Sequence, residues 1–320
     1  MVASLFIRYV YLSLYQFFCI GDRLDLSAVS RDERNGHHLF SWPDKELSIS
    51  DVFKLLELFR QKKKVEKNFL GSRKRYSLEI IYYNDKSYHV KEYPTQGIPR
   101  KLIIKRSLRI SSAVKSLIAS TILRKSEVHT PRAEYAIEKR KGLELVESFF
   151  ITRFIKDAHP LDRYVYHYLP KTRRKDFFKD LARFVSNLHE SGISHGDMFR
   201  DNVLVKEKDK GWEIYLVDLD TVQYKNLAVK KRVEDLAQLN YALTDMREVS
   251  MKERLYFLRQ YMINSKGLDL SNRHLLKTFI NSTMDKSLTI SERYGRFLWT
   301  QITFIMTEYY PFFCCIDEIT

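Results

Sequence analysis

Two neighbouring stretches constrain this chain more than any other feature: "SHGDMFRDNVLV", Ser194 to Val205, and "IYLVDLD", Ile214 to Asp220. Each sets polar, mostly ionisable groups at the mouth of an apolar run. His195, Asp197, Arg200 and Asn202 lead into "VLV", while Asp218 and Asp220 close "IYLVDLD". Short β-branched runs of this kind read as buried strands, and "KEKDKG" between them supplies a turn. The pair therefore reads as a hairpin with carboxylates, an amide and an imidazole gathered at one end.

The rest of the chain gives that hairpin a setting. "SISDVFKLLELFRQKKK" reads as a helix, with Ser48 and Asp51 in a capping-box pattern and Val52, Leu55, Leu56 and Phe59 on one face. "RYSLEIIYYNDKSYHVKEYP" reads as a hairpin turning at "NDKS", with Lys91 on its second arm. "SSAVKSLIASTILRK" has helical spacing, and "TPRAEYAIEKRKGLELVESFFITRFI" follows as a hairpin turning at "KG". Strand, strand, helix, strand, strand predicts an α+β lobe, a small antiparallel sheet with one helix. After "KDAHP" the character is helical. Phe177, Leu181, Phe184, Val185 and Leu188 form a stripe that Gly192 ends, and helical patterns run on through "RYGRFLWTQITFIM". The expected division is an apolar segment at 1–45, a sheet lobe at 46–156 and a helical lobe at 157–320.

Phosphoryl transfer from ATP needs a carboxylate to accept the attacking hydroxyl's proton, oxygen ligands for magnesium and a cation on the nucleotide phosphates. His195, Asp197 and Asn202 match the spacing H-x-D-x-x-x-x-N, with Asp197 as base and Asn202 as metal ligand. Asp218 stands where the second metal-binding carboxylate belongs, and Lys91 suits the phosphate contact. Asp220 is either a further metal ligand or a structural carboxylate at a turn. His195 reads as structural, and Asp235 in "RVEDLAQL" as an anchor for the catalytic loop.

On "SHGDMFRDNVLV" followed by "YLVDLDTV", the later "RVEDLAQLNYAL" and the upstream "VHTPRAEYAIE" with "SFFITRFI", the chain resembles the bacterial lipopolysaccharide kinases. That group contains the Kdo kinase and the core heptose kinases, within the protein-kinase-like superfamily. The resemblance covers residues 76–245. It implies a bilobal kinase fold, ATP and magnesium as cofactors, and a lipopolysaccharide or lipid A core precursor as acceptor. It also implies an adenine-binding hinge at Thr152 to Ile155, so that Phe154 and Ile155 contact the nucleotide. The alternatives are a kinase of a protein or small molecule and a catalytically weak pseudokinase that serves as a binding module.

Several residues depart from the wider pattern. Phe199 stands two positions after Asp197, where kinases place Lys or His; Arg200 is the nearest cation and either reaches the transferring phosphate or faces solvent. No glycine-rich loop precedes Lys91, only Gly71. The helix after Lys91 should supply a glutamate to pair with it, yet residues 100–126 hold no acid. Glu92 points to the opposite face of its strand, leaving Glu134 or Glu138 to substitute.

Charge bears on the partner. The formal net charge is +15, and it concentrates in "RQKKKVEKNFLGSRKR" and in residues 100–126. Such runs form either a solvated basic face or a surface for anions. The expectation is an anionic membrane surface, with no nucleic acid, since no recognised module accompanies the charge. "MVASLFIRYVYLSLYQFFCIGD" is apolar, but Arg8 makes an interfacial or core-packed helix a better reading than a membrane span. Cys19, Cys314 and Cys315 lack metal-ligand spacing. The expected location is cytoplasmic, peripheral on the inner face of the cytoplasmic membrane.

Overall fold

In the computed structural model, residues 29–69, 77–94, 110–141, 144–224, 227–244 and 249–266 are described, together with 281 and 283. The first half is built on an antiparallel six-stranded sheet of order β1-β2-β5-β6-β4-β3. Its strands are β1 (Ser30–Arg34), β2 (His37–Ser41), β3 (Ser77–Tyr83), β4 (Lys86–Glu92), β5 (Ala133–Lys141) and β6 (Glu144–Arg153). Helix α1 (Ile49–Phe69) precedes β3, and α2 (Ser112–Lys125) precedes β5.

Alternation along the strands divides the sheet into two faces. One carries Leu39, Val90, Ile137 and Ile151, which pack with Val52, Leu55, Leu56 and Phe59 of α1. Those four helix positions are the expected stripe, and Ser48 and Asp51 cap α1 reciprocally, Ser48 N–H donating to Asp51 Oδ2 at 3.1 Å and Asp51 N–H to Ser48 Oγ at 3.2 Å. On the other face Lys91, Phe150, Ala136 and Phe40 lie in one row of partners across β4, β6, β5 and β2. That face meets α2 and a core that continues into the second half of the chain.

The sheet also takes in β1 and β2, a hairpin whose inner strand pairs with β5. Two helices flank it, α1 on its outer face and α2 on its inner face.

The second half opens with β7 (Ala158–Pro160) and α3 (Leu161–His167), then the long α4 (Arg174–Glu190). Next come β8 (Ile193–Ser194), β9 (Val203–Glu207), β10 (Trp212–Leu216) and β11 (Gln223–Tyr224), followed by α5 (Val229–Thr244) and α6 (Met251–Asn264). Strands β9 and β10 form the expected hairpin, β7 adds to the free edge of β9, and β8 pairs with β11. Phe177, Leu181, Val185 and Leu188 of α4 are fully buried beneath them.

Among the described residues no helix is long and apolar enough to cross a membrane. The apolar opening, Gly71, Gly142 of the "KG" turn, the three cysteines and "RYGRFLWTQITFIM" lie outside the described residues, as do parts of both basic runs.

Candidate active site

The sheet half and the helical half meet at a cavity of about 640 Å³, within the size range of small-molecule and cofactor sites. Leu78 and Ile80 of β3, Lys91 of β4 and Thr152 of β6 line it from the sheet, Phe154 and Ile155 from the connection after β6, and Asn202, Leu204 and Asp218 from the helical half. The chain passes straight from β6 into this connection, where Phe154 N–H donates to Ser87 O at 2.9 Å.

Lys91 is 9% exposed, and its ammonium forms an ion pair with Asp218. Register decides this: the side chain of Lys91 falls on the inner face of the sheet, toward the hairpin end that carries Asp218. Asp218 is a non-glycine residue at φ 60°, ψ 64°, left-handed backbone of the kind retained at functional sites. Asn202 donates from Nδ2 to Asp197 O at 2.8 Å and to Asp197 Oδ2 at 3.0 Å. Its carbonyl Oδ1 is thereby turned away from Asp197, and with the carboxylate of Asp218 it offers hard oxygen donors of the type magnesium takes.

The carboxylates differ in character. Burial pushes the Asp197 carboxyl above its ordinary value and Asp218 adds to this, opposed by His195, the Asn202 hydrogen bond and Lys91. Asp220 is raised too, first by burial and then by the charge of Asp218, with the charge of Lys91 working the other way. Asp218 and Asp220 thus form an adjacent acidic pair beside the buried Lys91.

The loop bearing Asp197 is held from α5. Asp235, fully buried, accepts the backbone N–H groups of His195 and Gly196, both at 2.8 Å, and bonds His189 Nε2 at 3.2 Å. One turn along the same helix, Gln238 accepts Met198 N–H at 2.7 Å and donates to Gly196 O at 3.1 Å. His195 Nε2 donates to Val217 O at 3.0 Å, tying the loop to the strand end before Asp218, and Thr221 Oγ1 donates to His195 O at 2.9 Å. Both His195 and Asp235 therefore take the structural parts expected of them.

Gly196 is required by this packing. It lies at φ +77°, and a Cβ there would stand 2.9 Å from Thr221 O. Gly196→Ala is expected to cost about 1–3 kcal/mol of stability and to lower turnover, because the displaced backbone carries Asp197. Urea midpoints and kcat on the same preparation check both effects.

The departures now have physical explanations. Phe199 packs its ring edge-on to Tyr241 at 6.1 Å, joining a small apolar group on α5 instead of facing the cleft. Arg200 Nε lies 3.4 Å from Asp162 Oδ2 on α3. Glu92 pairs with Lys63 on the α1 side of the sheet. Glu134 accepts the N–H groups of Glu46 and Leu47 at 2.8 and 3.3 Å, and Glu138 accepts Ser111 N–H at 3.3 Å and Arg140 Nε–H at 3.1 Å. Lys91 is instead flanked by Asp218 and by the ring of Tyr93, 4.7 Å from Nζ. Tyr93, Gln238, Thr221 and His189 were not singled out from the sequence. Only Gln238 carried a signal, its i+3 spacing from Asp235 on one helix face.

A family model described as "Lipopolysaccharide kinase (Kdo/WaaP) family" matches residues 62–261, more than half of the chain. Among solved structures, "WaaP in complex with acyl carrier protein" superposes with a TM-score of 0.50 at 18% identity, over 67% of this chain and 86% of that one. A double mutant of the Mycobacterium tuberculosis PknI kinase domain aligns with a TM-score of 0.36 at 11% identity, over 64% and 90% respectively. No curated protein matches by sequence.

Proposed function

We propose that this chain, which belongs to the lipopolysaccharide kinase (Kdo/WaaP) family, transfers the γ-phosphoryl group of ATP to a Kdo or heptose hydroxyl of the lipopolysaccharide inner core. The observation that supports this reading is that Lys91, Asn202 and Asp218 line one interlobe cavity, with Lys91 paired to Asp218 and Asn202 hydrogen-bonded to Asp197.

Asp197 orients the acceptor hydroxyl and takes its proton. The transition state of phosphoryl transfer is loose, so positioning and charge neutralisation carry most of the rate and the base need not be strong. Asn202 Oδ1 and Asp218 would hold magnesium, with Asp220 beside them. The ion, when bound, neutralises charge on the β and γ phosphates. Lys91 exchanges Asp218 for the α and β phosphates, and Phe154 and Ile155 border the adenine. Arg200, on the same turn as Asn202, brings positive charge to the acceptor side once drawn from Asp162. The test is transfer of label from γ-labelled ATP to lipopolysaccharide lacking core phosphate. Label should enter the lipopolysaccharide and should stop doing so when magnesium is chelated. Label that remains in ATP or appears only as free phosphate overturns the reading.

The basic excess fits the acceptor's setting, a polyanionic glycolipid at the inner face of the cytoplasmic membrane. Each Lys or Arg near an anionic surface contributes about 1 kcal/mol. Screening shortens from about 10 Å at 0.1 M salt to about 3 Å at 1 M. Binding to phosphatidylglycerol vesicles is therefore expected to fall at least tenfold (order of magnitude) over that range, as sedimentation would show. Salt-insensitive binding would instead indicate insertion of the apolar opening.

A further inference from the structure

Helix α2 packs on the face of the sheet that bears Lys91, yet its fourteen residues, "SAVKSLIASTILRK", include no acid. They include hydroxyls at Ser112, Ser116 and Ser120, spaced by four and so aligned along one side of the helix. Ser116 Oγ lies 2.9 Å from Tyr93 OH in a buried contact. The helix is thus joined to the chain just after the strand of Lys91 through neutral groups.

Tyr93 lies just after β4, two residues from Lys91, is 7% exposed, and packs within the shared core. Its ring centroid is 4.7 Å from Lys91 Nζ, well inside the range of cation–π attraction. Burial and then the charges of Asp220 and Asp218 push the phenol well above its ordinary value, with the Ser116 bond opposing, so the hydroxyl stays neutral and adds no charge.

We propose that Tyr93 is the positioning residue for Lys91, its ring face, fixed to α2 through Ser116, taking the place that a helix carboxylate holds in other kinases. The inference rests on the kinase reading above. Lys91 must pass from Asp218 to the nucleotide phosphates, and a ring face, unlike a helix carboxylate, does not compete with those phosphates for the ammonium. A ring face attracts the ammonium in either position and keeps it directed into the cavity.

The experiment is Mg·ATP binding by calorimetry on the full chain with Tyr93→Phe, Tyr93→Leu, and a series carrying phenylalanine with increasing ring fluorination at position 93. Fluorination drains the ring face while holding its shape, so a merely structural role would not respond to it. Tyr93→Phe should keep Kd within about twofold, and the most fluorinated ring or Tyr93→Leu should raise it about tenfold. A Kd that is flat across the fluorinated series, or a Tyr93→Phe variant as weak as Tyr93→Leu, overturns the inference while leaving the kinase reading intact. Unaltered protein that binds no Mg·ATP overturns both. Because the fluorinated rings keep the native shape, the series decides the matter even if Tyr93→Leu does not fold.

Discussion

Asp197→Asn is expected to lower kcat for phosphate transfer by about 10³-fold, within the 10² to 10⁴ range typical of a positioned acid or base. The Michaelis constant for ATP should stay within about threefold, since in the proposed arrangement the Asp197 carboxylate contacts the acceptor rather than the nucleotide. The asparagine can still accept the hydrogen bond that Asn202 now gives Asp197 Oδ2 at 3.0 Å, so the loop keeps its form. What is lost is a negative oxygen able to take a proton. Single-turnover measurements with saturating ATP separate this from product release. An unchanged single-turnover rate would remove Asp197 from the chemistry.

Asp235→Ala should have the largest effect on stability. It removes the common acceptor for His195 N–H, Gly196 N–H and His189, with Asp235, His189 and His195 all fully buried. Breaking a buried ionic network from one side costs about 3–5 kcal/mol, and the His195 N–H is left buried without an acceptor. The effect should also depend on pH in a definite direction. Burial alone would raise the Asp235 carboxyl, but the His189 hydrogen bond and charge, the charge of His195 and the Gly196 N–H outweigh it and hold it below its ordinary value. A carboxyl lowered on folding contributes stability that is complete above its unfolded pKa of about 3.9 and fades as pH falls through the folded value. The gap in urea midpoint between the unaltered protein and Asp235→Ala should therefore be full at neutral pH and begin to close only in acid below about pH 4. A gap that closed between pH 7 and 5 would mean that a histidine governs the network.

The legible and illegible parts of this molecule divide along physical lines. That Asp197, Asn202 and Asp218 would lie together was legible because a loop and one hairpin must present them at fixed local spacing. The face that Lys91 takes was legible because strand alternation fixes it. The β1–β2 hairpin had a signal that the sequence reading passed over: "NG" at Asn35 and Gly36, which adopt φ 54° and 71°, the conformation a tight two-residue hairpin turn demands. Its outer strand is exposed at three of five positions, so it lacks the apolar alternation by which strands are recognised. The ring beside Lys91 was not legible: residues 100–126 hold no acid, and the ring of Tyr93, 4.7 Å from Lys91 Nζ, comes from β4's own continuation and is joined to α2 by a hydroxyl 23 residues away. Arg200 illustrates the same limit, since its pairing with Asp162 depends on how α3 crosses the turn at Asn202.

The account depends on one cation site and one lysine serving one triphosphate, and a crystal structure with magnesium and a non-hydrolysable ATP analogue tests that directly. The account predicts the metal between Asn202 Oδ1 and Asp218, Lys91 drawn from Asp218 onto the α and β phosphates while still over the Tyr93 ring, and the γ phosphate facing Asp197. A triphosphate seated away from these residues, with Lys91 still paired to Asp218, would contradict it.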